Sequence, residues 1–99
     1  MIEVEGNITV YNALSPNGDG KNEVFYIKYI DLLPNTKDNN VMIFNRWGDL
    51  VFETRNYDNV NRVFRGISRG GDELPSGTYY YRIEFANDSP KAGFIALRR

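Results

Sequence analysis

The chain has 99 residues, of which 41% are hydrophobic and 25% are charged, so residues 1–99 are predicted to form one globular domain. It contains neither histidine nor cysteine, which excludes disulfides, thiolate nucleophiles, imidazole bases and the metal sites built from those side chains. The net charge of −1 argues against a surface that coats nucleic acid or an anionic membrane, and no apolar run approaches the ~18 residues of a membrane helix.

Apolar residues in the first third of the chain recur with a period of two, which predicts β-strands. The first short strand is expected around residues 8–11. The second is expected over residues 24–30, where alternation places Phe25, Ile27 and Tyr29 on one face.

The middle of the chain predicts a β-hairpin. Residues 41–44 are apolar at every position, which indicates a strand buried on both faces. Residues 50–52 follow after Gly48 and Asp49, which suit a tight turn between two antiparallel strands.

Two further strands are predicted near the end of the chain. Over residues 78–85 the alternation directs Tyr79 and Tyr81 toward the core and Tyr80 outward, and residues 94–97 form the last strand. About seven short strands in about 100 residues predict an all-β fold, an antiparallel immunoglobulin-like β-sandwich.

Charge is divided unevenly along the chain. Residues 1–45 carry three lysines against six acids, whereas residues 46–99 carry nine basic residues against seven acids and include all eight arginines. This asymmetry indicates a polar recognition surface, although a solvated rim would account for it equally well.

Five motifs follow one another in register along the sequence. They are LSPNGDGKNEVF at residues 14–25, IFNRWG at 43–48, VFE at 51–53, LPSGTYYY at 74–81 and GFIALRR at 93–99. In content, order and spacing they resemble the gliding-motility-associated C-terminal domain of Bacteroidota, the type B sorting domain of the type IX secretion system, over residues 8–99. The family usually has Trp-x-Gly after the second hairpin, where this chain has Phe64, Arg65 and Gly66.

The resemblance implies a secretion signal. Such domains end large cell-surface or secreted cargo proteins, including gliding adhesins, and direct them through the periplasm to the outer-membrane translocon. The implied partners are translocon components and a PorP/SprF-like outer-membrane protein, with no nucleic acid and no direct membrane insertion. The expected location is the cell surface or the extracellular space, as part of the full-length protein. No enzymatic activity and no cofactor are expected.

The loop in the first motif has three open interpretations. Asn17, Asp19 and Glu23 offer oxygen ligands, and Gly18 and Gly20 permit a tight wrap, which suits calcium weakly because the EF-hand spacing is not met. A rigid Asx-type turn and a partner-recognition loop are the alternatives. In the recognition interpretation, the candidate contact residues are Asn17, Gly18, Asp19 and Gly20.

The second motif supplies another candidate contact. Gly48 is expected at a positive-φ position, with Asn45 bonding the backbone of the turn. Arg46 and Trp47 are residue types enriched at binding hot spots, and the guanidinium can stack on the indole. The sequence leaves open whether Trp47 lies in the core or at an interface.

The chain end completes the candidate surface. The family's signals lie at the extreme C-terminus of a preprotein, and this position fits Leu97, Arg98 and Arg99. An acidic pocket of a partner would bind the two arginines through bidentate hydrogen bonds. An exposed last strand would also suit addition to a partner's sheet. Deleting these three residues is expected to stop secretion of a fused reporter without unfolding the domain.

Rival functions need features that the sequence does not make clear. An adhesion or carbohydrate-binding sandwich would need an exposed aromatic row or a formed calcium loop. A stalk module would give the chain terminus no special role. An enzyme is the least favoured, because no nucleophile motif accompanies the missing histidine and cysteine.

Overall fold

A computed structural model describes residues 8–16, 18, 23–30, 38–86 and 89–99. Seven β-strands were found in these segments, and none of the segments contains a helix long and apolar enough to cross a membrane. The strands are β1 (Thr9–Val10), β2 (Ala13–Leu14), β3 (Ile27–Lys28), β4 (Asn39–Phe44), β5 (Leu50–Arg55), β6 (Gly77–Phe85) and β7 (Lys91–Leu97).

The strands form two sheets, which confirms the predicted all-β sandwich. One sheet has five strands in the order β2-β7-β6-β4-β5, and the other consists of β1 and β3. All pairs are antiparallel except β2 with β7, where Ala13 lies opposite Ala96 and Leu14 opposite Leu97 in parallel register. The short strand β2 therefore runs alongside β7 and ends at the same end of the sheet.

The core forms where the inner face of the five-stranded sheet meets β1, β3 and the segment after β5. Alternation along β6 directs Tyr79 and Ile83 into this core, as the sequence predicts, and β4 also buries one side chain in two. The buried hydrophobic residues are Ile8, Leu14, Phe25, Ile27, Ile30, Val41, Ile43, Tyr57, Val63, Phe64, Tyr79, Ile83, Ile95 and Leu97.

Strand β4 is buried on one face, so the prediction of burial on both faces is wrong. Val41 and Ile43 are fully buried, whereas Met42 and Phe44 are half-buried. Among the described residues, the layer of β1 and β3 packs on one side of the five-stranded sheet only. The continuous apolar run thus supplies the core on one face and an apolar outer surface on the other.

The predicted strand over residues 24–30 is also shorter than expected. Phe25 and Ile27 are buried together as predicted, but the strand ends at Lys28. Tyr29 adopts a φ of 74° and is 42% exposed. Since a positive φ breaks the extended backbone, Tyr29 leaves the face that it was expected to share.

Tyr57 ties the irregular segment after β5 to the core. Its hydroxyl donates to the carbonyl oxygen of Phe25 at 2.5 Å and accepts from the backbone N–H of Phe64 at 2.8 Å. Burial raises the pKa of Tyr57, so the hydroxyl stays protonated and can serve both bonds. Phe64 is fully buried with its ring 5.1 Å from that of Phe52, so phenylalanine provides a core aromatic at this position.

Candidate functional site

Strand direction gathers four segments at one end of the five-stranded sheet. Leu14 and Leu97 end parallel strands side by side, and Leu97 lies opposite Gly77, where β6 begins. Phe44, the last residue of β4, lies opposite both Tyr80 of β6 and Leu50 of β5. We call this region the turn end. It comprises residues 15–16, 45–49, 74–76 and 98–99.

The hairpin turn at residues 45–49 has the predicted construction. The side-chain oxygen of Asn45 accepts from the backbone N–H groups of Trp47 and Asp49 at 2.9 and 3.0 Å. Gly48 has a φ of 87° and donates to the carbonyl oxygen of Asn45 at 3.0 Å. These bonds hold the turn rigid, which fixes where its side chains project.

Trp47 lies on the surface, with 74% of its area exposed, which answers the question left open by the sequence. The guanidinium carbon of Arg46 sits 4.8 Å from the centre of the indole ring, as the stacking hypothesis predicts. A large exposed indole with a stacked guanidinium offers a flat contact surface that is partly apolar and partly cationic. Such a pair is typical of protein-binding sites.

A groove of about 270 Å³ separates this turn from the segment that leads into β6. The hydroxyl of Tyr79 donates to the carbonyl oxygen of Pro75 at 2.7 Å and so holds the far wall against the sheet. The LPSG motif was part of the family resemblance, but its role as a wall was missed because nothing local links it to Trp47. The described residues that line the groove are Asn45, Arg46, Trp47, Leu74, Pro75, Ser76, Gly77, Thr78 and Tyr79.

Arg99 folds back onto the same wall. Its Nε donates to the carbonyl oxygen of Leu74 at 2.5 Å, and its backbone N–H donates to the Ser76 hydroxyl at 2.9 Å. A second guanidinium nitrogen donates to the carbonyl oxygen of Gly66. Arg99 is therefore an exposed cation held by hydrogen bonds to three residues in two other segments of the chain.

The other two C-terminal candidates differ sharply from Arg99. Leu97 is 1% exposed and belongs to the core, so its side chain cannot contact a partner. Arg98 is anchored by its backbone N–H, which donates to the carbonyl oxygen of Leu14 at 2.8 Å, and its side chain is exposed. Because deletion of all three residues removes a core leucine, it is expected to destabilise the domain, contrary to the prediction from sequence.

Gly66 lies where the chain end meets the first motif. It has a φ of 79°, and a Cβ at this position would lie 3.0 Å from an Arg99 guanidinium nitrogen, 3.2 Å from Leu97 Cδ1 and 3.4 Å from Pro16 Cγ. Pro16 opens the loop of the first motif, so that loop starts beside the chain end. The structure thus brings the start of the loop, the hairpin turn and the C-terminal residues to one end.

Most of the loop itself lies outside the described residues, including Asn17, Asp19 and Gly20. Gly18 is exposed with a φ of 83°, and its backbone N–H donates to a carboxylate oxygen of Glu23 at 3.1 Å. This bond is of the kind expected for a side-chain-stapled turn. The described residues contain no cluster of three acidic side chains suited to a metal, and calcium binding at the loop stays a prediction.

A row of apolar side chains crosses the outer face of the five-stranded sheet. In register from one strand to the next, Phe94 lies opposite Tyr80 and Tyr80 opposite Phe44. Phe94 is 51% and Tyr80 47% exposed. The outward direction of Tyr80 confirms its prediction, but the row was missed because it depends on strand order and register, which the sequence pattern does not give.

The turn end carries positive charge. Burial raises the pKa of the Tyr79 hydroxyl, and the charges of Arg99 and Arg46 oppose that rise. Both guanidinium groups therefore act on the same hydroxyl in the groove. By contrast, Arg82 on the outer face forms an ion pair with Glu84, with 3.0 Å between Nε of the arginine and Oε2 of the glutamate.

Comparison with known proteins shows the family to which the chain belongs. No curated protein sequence matches the chain. A family model described as the CHU_C type IX secretion signal domain matches residues 8–97, which span all seven strands and every segment of the turn end except residues 98–99. The resemblance seen in the motifs is confirmed, and the chain belongs to the CHU_C family of type IX secretion signal domains.

Proposed function

We propose that this domain is a folded export signal that the type IX translocon recognises at the turn end. Membership of the family supports a secretion-signal role, interaction with the secretion machinery and export through the outer membrane to the cell surface or beyond. The observation that carries the assignment to the turn end is the position of Arg99. It bonds the wall of the groove that faces Trp47, so two of the sequence-predicted recognition elements form one surface.

The proposed cargo is a large cell-surface or secreted protein such as a gliding adhesin. The proposed partners are translocon components and a PorP/SprF-like outer-membrane protein. A rigid sandwich suits this role because a surface that is already ordered loses little conformational entropy on docking. We further propose that the domain has no catalytic activity and needs no cofactor.

A reporter fusion tests the export function directly. Residues 1–99 are fused to the C-terminus of a periplasmic reporter, and the fusion is expressed in hosts with and without type IX machinery. External reporter is expected only in the competent host. Retention in both hosts, or release in both, would refute the proposal.

The outer-face row favours a second candidate function, binding of a neutral polysaccharide. Phe94, Tyr80 and Phe44 lie on adjacent strands, and neighbouring strands are about 4.8 Å apart, so the rings form a platform on which sugar rings can stack. Titration calorimetry with a panel of neutral polysaccharides tests this candidate. Binding that Phe94→Ala abolishes and Trp47→Ala preserves would support it, and flat titrations throughout would exclude it.

A further inference from the structure

The chemistry of the groove at the turn end limits what can fill it. Its rim carries the stacked guanidinium and indole of Arg46 and Trp47, and none of the described residues lining it is acidic. Asp49, at the edge of the same turn, is engaged by the side chain of Asn45 at 3.5 Å. The groove thus combines apolar and polar lining residues with net positive charge.

The guanidinium groups of Arg46 and Arg99 both have N–H donors that form no hydrogen bond within the described part of the chain. A guanidinium has five N–H donors. Arg99 uses two of its guanidinium nitrogens on the carbonyl oxygens of Leu74 and Gly66, and its outermost N–H groups are left over. Arg46 forms no hydrogen bond or ion pair with the described part of the chain, and its guanidinium contacts the Trp47 ring.

We propose that this groove binds an extended acidic segment of the partner protein, with a carboxylate held by Arg46 and an adjacent apolar side chain against Trp47. The inference rests on the proposed export function and names the chemistry of the docking segment. Charge complementarity selects a carboxylate, because a planar guanidinium donates two parallel bonds to its two oxygens.

The dimensions favour a peptide over a larger polyanion. A volume of about 270 Å³ is sufficient for a few side chains. The chain as a whole has a net charge of −1, so it lacks the extended positive surface that nucleic acid requires. A short acidic peptide is therefore a suitable probe for the proposed contact.

The first experiment uses the chain's single tryptophan, Trp47, as its own fluorescent probe. The domain is titrated with the capped peptide Gly-Glu-Phe-Glu-Gly and with its uncharged analogue Gly-Gln-Phe-Gln-Gly. We expect the acidic peptide to bind about tenfold or more tightly than the analogue, as for a charge-assisted pair, and the preference to shrink in 0.5 M salt. Equal binding, a preference for the glutamine peptide, or no fluorescence change with either would overturn the proposal.

Variants then locate the contact by anisotropy of the fluorescein-labelled acidic peptide. Arg46→Gln is expected to weaken binding about tenfold. The matched control is Arg82→Gln, an exposed arginine already paired with Glu84 on the outer face, which is expected to leave binding unchanged. Equal losses in the two variants, or none in Arg46→Gln, would refute the groove as the binding site.

Peptide binding and export can fail separately. If the domain binds the acidic peptide at Arg46 and the Arg46→Gln fusion is still exported, the groove is confirmed and its role in export is refuted. If export depends on Arg46 and the acidic peptide has no advantage over its analogue, the export surface is supported and the acidic partner is refuted.

Discussion

The guanidinium of Arg99 donates to the carbonyl oxygen of Gly66, 33 positions earlier in the chain. Through Nε and the backbone N–H, the same residue also holds Leu74 and Ser76, which line the groove. Arg99 therefore contributes both a charge to the turn end and part of the scaffold that shapes it. The two neighbouring arginines at positions 98 and 99 are expected to behave differently for this reason.

Arg99→Ala removes two side-chain hydrogen bonds to backbone carbonyls and is expected to lower the free energy of unfolding by about 1–2 kcal/mol. Arg98→Ala is the matched control, because the bond from Arg98 to Leu14 uses the backbone and survives the substitution. Its effect is expected to stay within about 0.5 kcal/mol. Urea unfolding measures both, and equal losses would contradict the role given to Arg99.

Gly66→Ala is expected to destabilise the domain more than Gly71→Ala. Both glycines have a positive φ, 79° and 93°, so both variants bear the ~1–2 kcal/mol cost of a side chain in that region. Only at Gly66 would the new Cβ also crowd Arg99 and Leu97, whereas nothing lies within 4 Å at Gly71. Thermal unfolding of the two variants checks this order, and a larger loss at Gly71 would show that the packing around Gly66 is misassigned.

Tyr57→Phe is expected to cost about 1–3 kcal/mol, because it leaves the buried carbonyl of Phe25 and the N–H of Phe64 without their partner. Tyr80→Phe removes an exposed hydroxyl from the outer face and is expected to change stability by less than about 0.5 kcal/mol. The two variants make the same chemical change, so their urea midpoints isolate the effect of the buried bonds. Similar midpoints would show that the two hydrogen bonds of the Tyr57 hydroxyl do not stabilise the fold.

Asp58 is expected to contribute to the acid sensitivity of the fold. Its carboxylate accepts from the backbone N–H groups of Val60, Arg62 and Asn61 at 2.8–2.9 Å, which lowers its pKa below the ordinary 3.8. A lowered folded-state pKa means that this stabilisation is complete above pH 3.8 and is lost as the pH falls through the folded value.

The control for Asp58 is Asp58→Asn, whose amide oxygen can still accept the bonds but does not titrate. The decrease in urea midpoint between pH 6 and pH 2 is expected to be smaller in this variant than in the wild type. An equal decrease would show that Asp58 does not contribute to acid unfolding.

Local patterns predicted the long strands and the hairpin turn. Alternation identified the buried face around Ile83, and the turn residues Asn45 and Gly48 have the bonds and φ expected of them. These features depend on neighbours a few positions away. Sequence reasoning is strongest for such short-range features.

Long-range contacts were not predictable in the same way. The groove needs the hairpin turn and the LPSG segment to meet, which follows from strand order, and the return of Arg99 to Gly66 joins residues 33 positions apart. Tyr29 left its predicted face because a local turn overrode the alternation. The family resemblance supplied the function, since composition and periodicity describe many β-sandwiches equally well.

The most direct test of the account is export of reporter fusions carrying Trp47→Ala or Phe94→Ala. Both residues are exposed aromatics, 74% and 51%, one at the turn end and the other on the outer face, so neither change should unfold the domain. We predict that Trp47→Ala lowers external reporter about tenfold or more at unchanged stability, as for a hot-spot residue, while Phe94→Ala is exported like the wild type. Wild-type export of the Trp47→Ala fusion would contradict recognition at the turn end.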